Sequence, residues 1–382
     1  MRSGTDSAIT SDHAATAPSR STRTGPLHRL KAWAHRRKLL AALLEMRKSG
    51  RRERDFSLHL TETVGAAVRW RTSHEVLRTA REIIRRLQSA PEPAPRKGSP
   101  SIVSIRAADV ALLANRLSAP LALDEGALRA AMRIASLEPA SAEAFTLYLA
   151  ILWLANERTI ADVRGVCADR IVLHMTCASR IARAERSIES FGTVALTHLK
   201  LIGTGERYTF DAEHRLLGVP SRDTYECLPQ KVFQALALLT LACDPACVLK
   251  LDDDHRLADA TEADRLLDYA ARTTDAVQLG EVNRTPLPSA HHRAWHFGKC
   301  GRAPIGAQVL EMPTPVKWAA GSAGYVLNRA ALWRVLWSSL YYARWLDEIV
   351  YEDIALAEVA TKTGIRIVKT DMRPAIGAVA DY

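Results

Sequence analysis

The sequence predicts an α/β protein, a mostly parallel sheet with helices on both faces, preceded by an all-helical N-terminal region. Two observations carry that expectation. From Arg170 onward, five short runs rich in branched residues read as strands: Ile171–Met175, Leu199–Ile202, Ala246–Leu251, Ala276–Leu279 and Ile365–Val368. Between them lie stretches of helical length: Ala182–Phe191, Leu228–Ala242, Glu262–Thr273, Arg329–Leu340 and Ile354–Thr363. Before Arg170 that alternation is absent, and the periodic stretches read as helix.

In chain order, residues 1–26 are rich in Ser, Thr, Ala and Gly without periodicity, which predicts disorder. Leu27–Lys48 sets Leu30, Trp33, Leu40 and Leu44 near one helical face, flanked by Arg29, Arg36, Arg37, Lys38, Arg47 and Lys48. Such a helix either docks on the protein's own body or lies on anionic lipid. Residues 55–88 read as helix, and Ser89–Ser101 (SAPEPAPRKGSPS) as an exposed linker. Residues 105–165 read as several helices, of which Ser141–Asn156 is the most apolar. Three units result: a basic arm over 1–54, a helical region over 55–165, and an α/β domain over 166–382.

Composition narrows the class. The chain has 382 residues, 48% hydrophobic and 25% charged, which excludes a mainly disordered or collagenous protein. Its net charge of +10 is concentrated in the arm, where 13 basic residues face 4 acidic ones. Residues 101–382 carry 31 basic against 33 acidic residues, so a specific nucleic-acid partner is not indicated. Six cysteines without a CxxC pair make neither a disulfide framework nor a structural zinc site. Met1–Pro26 lacks the apolar stretch of a secretory signal, and Ala144–Ala155 falls short of the ~20 residues of a membrane span. The expectation is a cytoplasmic protein, at most peripheral at the inner membrane face through residues 27–48.

Ligands of parallel sheets collect beyond the carboxyl ends of the strands. There, after Ala246–Leu251, stand Asp252, Asp253 and Asp254. Adjacent carboxylates repel, and hard oxygen ligands at a strand exit suit Mg²⁺ or Mn²⁺ bridging to a diphosphate. A solvated turn or a helix cap is the alternative for the same residues. Trp295 and His296, in a long loop, either meet a sugar ring or pack internally. His255 beside the triplet reads as a neighbouring group and not as a ligand.

The order of further segments is informative. Asp223-Thr-Tyr225-Glu-Cys-Leu228-Pro-Gln-Lys231 precedes Lys250-Leu-Asp-Asp-Asp254, followed by Gly321-Ser-Ala-Gly324-Tyr325 and Tyr351-Glu352-Asp353-Ile. Over about residues 170–370 this series resembles the β1,3-galactosyltransferase and fringe-like family, glycosyltransferase family 31, of GT-A type. The resemblance implies a GT-A (Rossmann-like) domain and a bacterial-type member of polysaccharide biosynthesis. It implies inverting transfer of galactose or N-acetylglucosamine from a UDP-sugar to a glycan or glycolipid hydroxyl, with a β1,3 linkage. A non-catalytic, glycan-binding or scaffolding GT-A-like protein is the alternative.

The resemblance also implies roles. Asp254, with Asp252, would bind Mn²⁺ or Mg²⁺, while Asp252 would face the ribose or sugar and Asp253 would support the geometry. Asp223 and Lys231 would contact the nucleotide, although for Lys231 alone the favoured reading is the structural partner of a carboxylate. Asp353 would be the general base, with Glu352 beside it as the substitute. Gly321 and Gly324 would let the backbone approach the sugar, a task shared with ordinary tight turns. The family's late metal-binding His has no counterpart, since no His follows His296; the metal shell would then rest on Asp254, phosphate oxygens and water, or Asp371 would replace the His.

Overall fold

The computed structural model describes residues 70–89, 100–118, 123–137, 141–192, 196–284, 298–300, 317–346 and 350–378. The basic arm, its expected helix over 27–48, and Trp295 and His296 lie outside the described residues.

Among the described residues, five helices precede the sheet: α1 (Ser73–Ser89), α2 (Pro100–Ser118), α3 (Glu125–Leu137), α4 (Ala142–Ala155) and α5 (Glu157–Val166). α4 starts where Ser141 Oγ accepts the Ala144 amide at 3.1 Å, and each residue from Ala144 to Trp153 is buried. The most apolar stretch is thus the centre of a bundle. α1 lays Val76, Ala80, Ile83, Ile84 and Leu87 against it, the stripe of a helix with one buried face. The expected linker stops short of Ser101, because Pro100 opens α2; proline suits a first helical turn.

The sheet has eight strands: β1 (Arg170–Met175), β2 (Thr197–Gly203), β3 (Thr209–Asp211), β4 (Leu216–Val219), β5 (Cys247–Asp252), β7 (Val277–Gly280), β10 (Tyr325–Asn328) and β11 (Arg366–Lys369). Their order is β11-β7-β10-β5-β1-β2-β4-β3. All run one way except β10 and β3, which are antiparallel to their neighbours. Two antiparallel pairs complete the set: β6 (His255–Leu257) with β12 (Ile376–Ala378), and β8 (Val282–Arg284) with β9 (Lys317–Ala319). The five strands expected from the sequence are all in the main sheet, their ends displaced by at most two residues. The others have three or four residues each, too few for alternation to stand out.

Helices cover both faces. α7 (Leu228–Cys243), α9 (Arg329–Leu346) and α10 (Glu352–Thr363) pack with Ile171, Leu173, Val248 and Leu327 on one face. On the other, α8 (Ala260–Arg272) packs with Val172, Leu249, Val277 and Val326. α6 (Ile181–Glu189) follows β1. The antiparallel β10 is pinned by buried Asn328, whose Oδ1 accepts the Val277 and Ala331 amides at 3.0 and 3.1 Å. Its Nδ2 donates to the Thr273 and Asp275 carbonyls, both at 2.7 Å.

α5 packs along α7 and α3 touches α9, so α1 to α5 share one apolar core with the sheet. All six cysteines are free thiols. Among the described residues no helix is long and apolar enough to cross a membrane.

Candidate active site

The crossover after β1 runs through α6 to β2, while β5 is reached through α7 on the opposite face. The connections therefore diverge between β1 and β5, the place where parallel sheets open a crevice. In register, Met175 pairs with Asp252, so the triplet leaves the sheet at that point.

Each aspartate there has a protein partner. Asp252 Oδ1 accepts from Lys250 Nζ at 2.6 Å, and that ammonium is 1% exposed. Asp253 is buried and accepts from Thr176 Oγ1 at 2.8 Å, with Arg183 Nε 3.8 Å from its other oxygen. Burial pushes its carboxyl up, against the Thr176 hydrogen bond and the nearby Arg180 and Arg183. Asp254, the most exposed, meets Arg183 Nη2 at 3.3 Å. One ammonium and one guanidinium thus offset much of the mutual repulsion that the sequence exposes.

Asp252, Asp254 and His255 offer ligand atoms within 4.8 Å of one another, compact enough to hold one metal ion. The carboxylates are the better donors. His255 Nδ1 accepts the Asp252 amide at 3.1 Å, which leaves Nε2 to carry the hydrogen it gives to the Ser322 carbonyl at 2.9 Å. Recruiting that ring as a ligand would break the turn it holds.

Asp353, at the first turn of α10, is brought to the same place by a glycine. Gly321 N donates to Asp353 Oδ2 at 3.2 Å, while Gly321 O lies 3.4 Å from Lys250 Nζ. One residue therefore joins the carboxylate of α10, through its amide, to the ammonium that holds Asp252, through its carbonyl. A Cβ on Gly321 would stand 3.0 Å from Glu352 Oε2 and 3.5 Å from Asp353 Cβ, so any larger residue here would press on the Glu352 carboxylate. Burial pushes the Asp353 carboxyl up, against the Gly321 and Ile354 amides.

Glu352 is placed differently from its neighbour. It is buried, accepts the Tyr325 hydroxyl and lies 3.5 Å from Lys250 Nζ. Burial raises its carboxyl while Lys250 opposes the rise. Its two oxygens are taken up in holding Lys250 and Tyr325, which makes it a support of the site.

Asp223 and Lys231 form a brace. Asp223 Oδ1 accepts Gly203 N at 2.9 Å and Lys231 Nζ at 2.7 Å, and Oδ2 accepts Ala178 N at 2.6 Å. Buried Lys231 also donates to the Thr176 carbonyl at 2.6 Å. The pair ties the ends of β1 and β2 to α7, which is the carboxylate partnership expected as one reading of Lys231. Burial works to raise the Asp223 carboxyl, but Lys231 and the two amides outweigh it and hold it low.

Asp371 stands apart from these groups. It is exposed and bound by Arg373 through Nε and Nη2, both at 2.8 Å, and lies outside the cluster able to hold a metal. Gly324, at φ +75°, faces Leu251 Cδ2 at 2.7 Å from a would-be Cβ. Its need for glycine comes from the turn and the packing beneath.

Sequence reasoning assigned no role to Lys250, Arg183 or Tyr225. Lys250 carried a signal, being a charge inside the apolar run ACVLKL two positions before an aspartate, on the same strand face. Tyr225 lies in the field of both Asp252 and Asp353; burial first, then those carboxylates, keeps its phenol protonated, and Lys299 Nζ sits 5.4 Å from its ring centre. No family model matches the chain, and the search of curated proteins found no match.

Proposed function

We propose that the chain is a GT-A-type inverting glycosyltransferase that moves a hexose, galactose or N-acetylglucosamine, from a UDP-sugar to a hydroxyl of a glycan or glycolipid. The observation that carries this reading is the convergence, through the amide and carbonyl of the one residue Gly321 and the ammonium of Lys250, of Asp252 at the end of β5 with Asp353 at the start of α10.

Asp252 and Asp254 would hold Mn²⁺ or Mg²⁺, for which two carboxylates at a strand exit are a suitable donor set. When bound, such an ion neutralises charge on a departing diphosphate. Asp353 accepts the acceptor's proton; its partial burial and raised carboxyl favour a base able to release that proton later. Lys250 and Glu352 fix the spacing between the two halves. A direct displacement on these groups needs no covalent intermediate.

The second reading, a non-catalytic glycan-binding or scaffold protein, is favoured by the triplet's own counter-ions, since Lys250 and Arg183 stabilise it without a metal. UDP-sugar turnover with and without Mn²⁺ separates the two. Asp353→Asn is expected to lose about 10²–10⁴ in rate with its fold intact, and Asp254→Ala to lose the Mn²⁺ dependence. Turnover indifferent to both substitutions would remove the catalytic assignment.

A further inference from the structure

Arg183 lies against Asp254, one of the two carboxylates read above as metal ligands. α6 presents it one turn before Ser187, on the same helical face. That turn is anchored: Ser187 Oγ donates to the His255 carbonyl, and Ser190 Oγ accepts the Leu257 amide at 2.9 Å. The guanidinium consequently reaches Asp254 Oδ2 at 3.3 Å and Asp253 Oδ1 at 3.8 Å. Lys250 has no such freedom, because its ammonium is buried among Asp252, Glu352 and the Gly321 carbonyl. Arg183 is about a quarter exposed, at 28%, and its long side chain can swing while α6 stays in place.

We propose that Arg183 is a resident, displaceable counter-ion of the triplet, which leaves Asp254 when a divalent cation binds and then presents its guanidinium to an anionic group gathered at that cation. This rests on reading the triplet as a metal site. Two positive charges compete for the same carboxylate, so removing the resident one tightens binding of the other. The freed guanidinium matches phosphate oxygens bidentately, which couples the cation and a diphosphate reciprocally.

The test is Mn²⁺ titration followed by the electron paramagnetic resonance signal of the free ion, with and without inorganic pyrophosphate. It compares wild type, Arg183→Gln, Arg183→Lys and Asp254→Asn. Arg183→Gln is expected to bind Mn²⁺ roughly fivefold more tightly than wild type, and Arg183→Lys to resemble wild type. Pyrophosphate should tighten Mn²⁺ binding more in wild type than in Arg183→Gln. Unchanged or weaker Mn²⁺ binding in Arg183→Gln, with binding lost in Asp254→Asn, overturns the counter-ion role and leaves the metal reading intact. Failure of all four proteins to bind Mn²⁺ overturns both.

Discussion

Lys250 shows how a single side chain can organise a site without touching a ligand. Its ammonium is held between Asp252 and Glu352, and although burial alone would depress it, those carboxylates raise it above the usual lysine range. Tyr325 closes the group by donating to Glu352 from below. Replacing Lys250 by Met leaves two carboxylates facing one another with no counter-charge. The expected loss is about 3–5 kcal/mol, the usual cost of breaking a buried pair, read from the denaturant midpoint. Adding Glu352→Gln should recover part of it. A loss below about 1 kcal/mol would place the pair among weak surface bridges and remove Lys250 from this role.

At the scale of elements, α6 rests on a polar layer where an amphipathic helix ordinarily buries apolar groups. Ser187 gives its hydroxyl hydrogen to the His255 carbonyl and so receives one from His174 Nδ1, 3.2 Å away. His174 Nε2 then accepts from His198 Nδ1 at 3.0 Å, and Phe191 packs edge-on against both rings. This chain requires neutral rings. Burial first, then His198, lowers His174 well below the usual histidine range; burial first, then Arg215, lowers His198 to about 4. Unfolded histidines titrate near ~6.5, so between there and 4 the unfolded chain binds more protons than the folded one. Stability is whole above that window and falls as pH falls through it, by about 3 kcal/mol for His198. Urea midpoints at pH 7 and pH 4.5 measure the loss, and His198→Phe should flatten the dependence. A His198→Phe profile parallel to wild type would assign the acid sensitivity elsewhere.

At the scale of the whole molecule, the helical region and the sheet share a core, with α4 buried along its length and α5 packed on α7. The two are therefore expected to unfold together. Leu149→Ala in α4 should cost about 2–5 kcal/mol and lower the midpoints seen by far-UV circular dichroism and by tryptophan fluorescence equally. Two separated transitions would show independent units. The division into a helical part and an alternating part was readable from residue patterns, because periodicity records which face of each local element is buried. So was the acidic turn at the end of β5, since charge against an apolar run is local information. The insertion of antiparallel β10 between β5 and β7 was not readable, nor was the loan of Arg183 to Asp254, and the meeting of Asp353 with Asp252 was expected from the family resemblance alone and not from any local pattern. Those depend on which distant segments adjoin, and the hydrogen bonds that decide it, through Gly321 and Asn328, join residues far apart in the chain and leave no periodic trace along it.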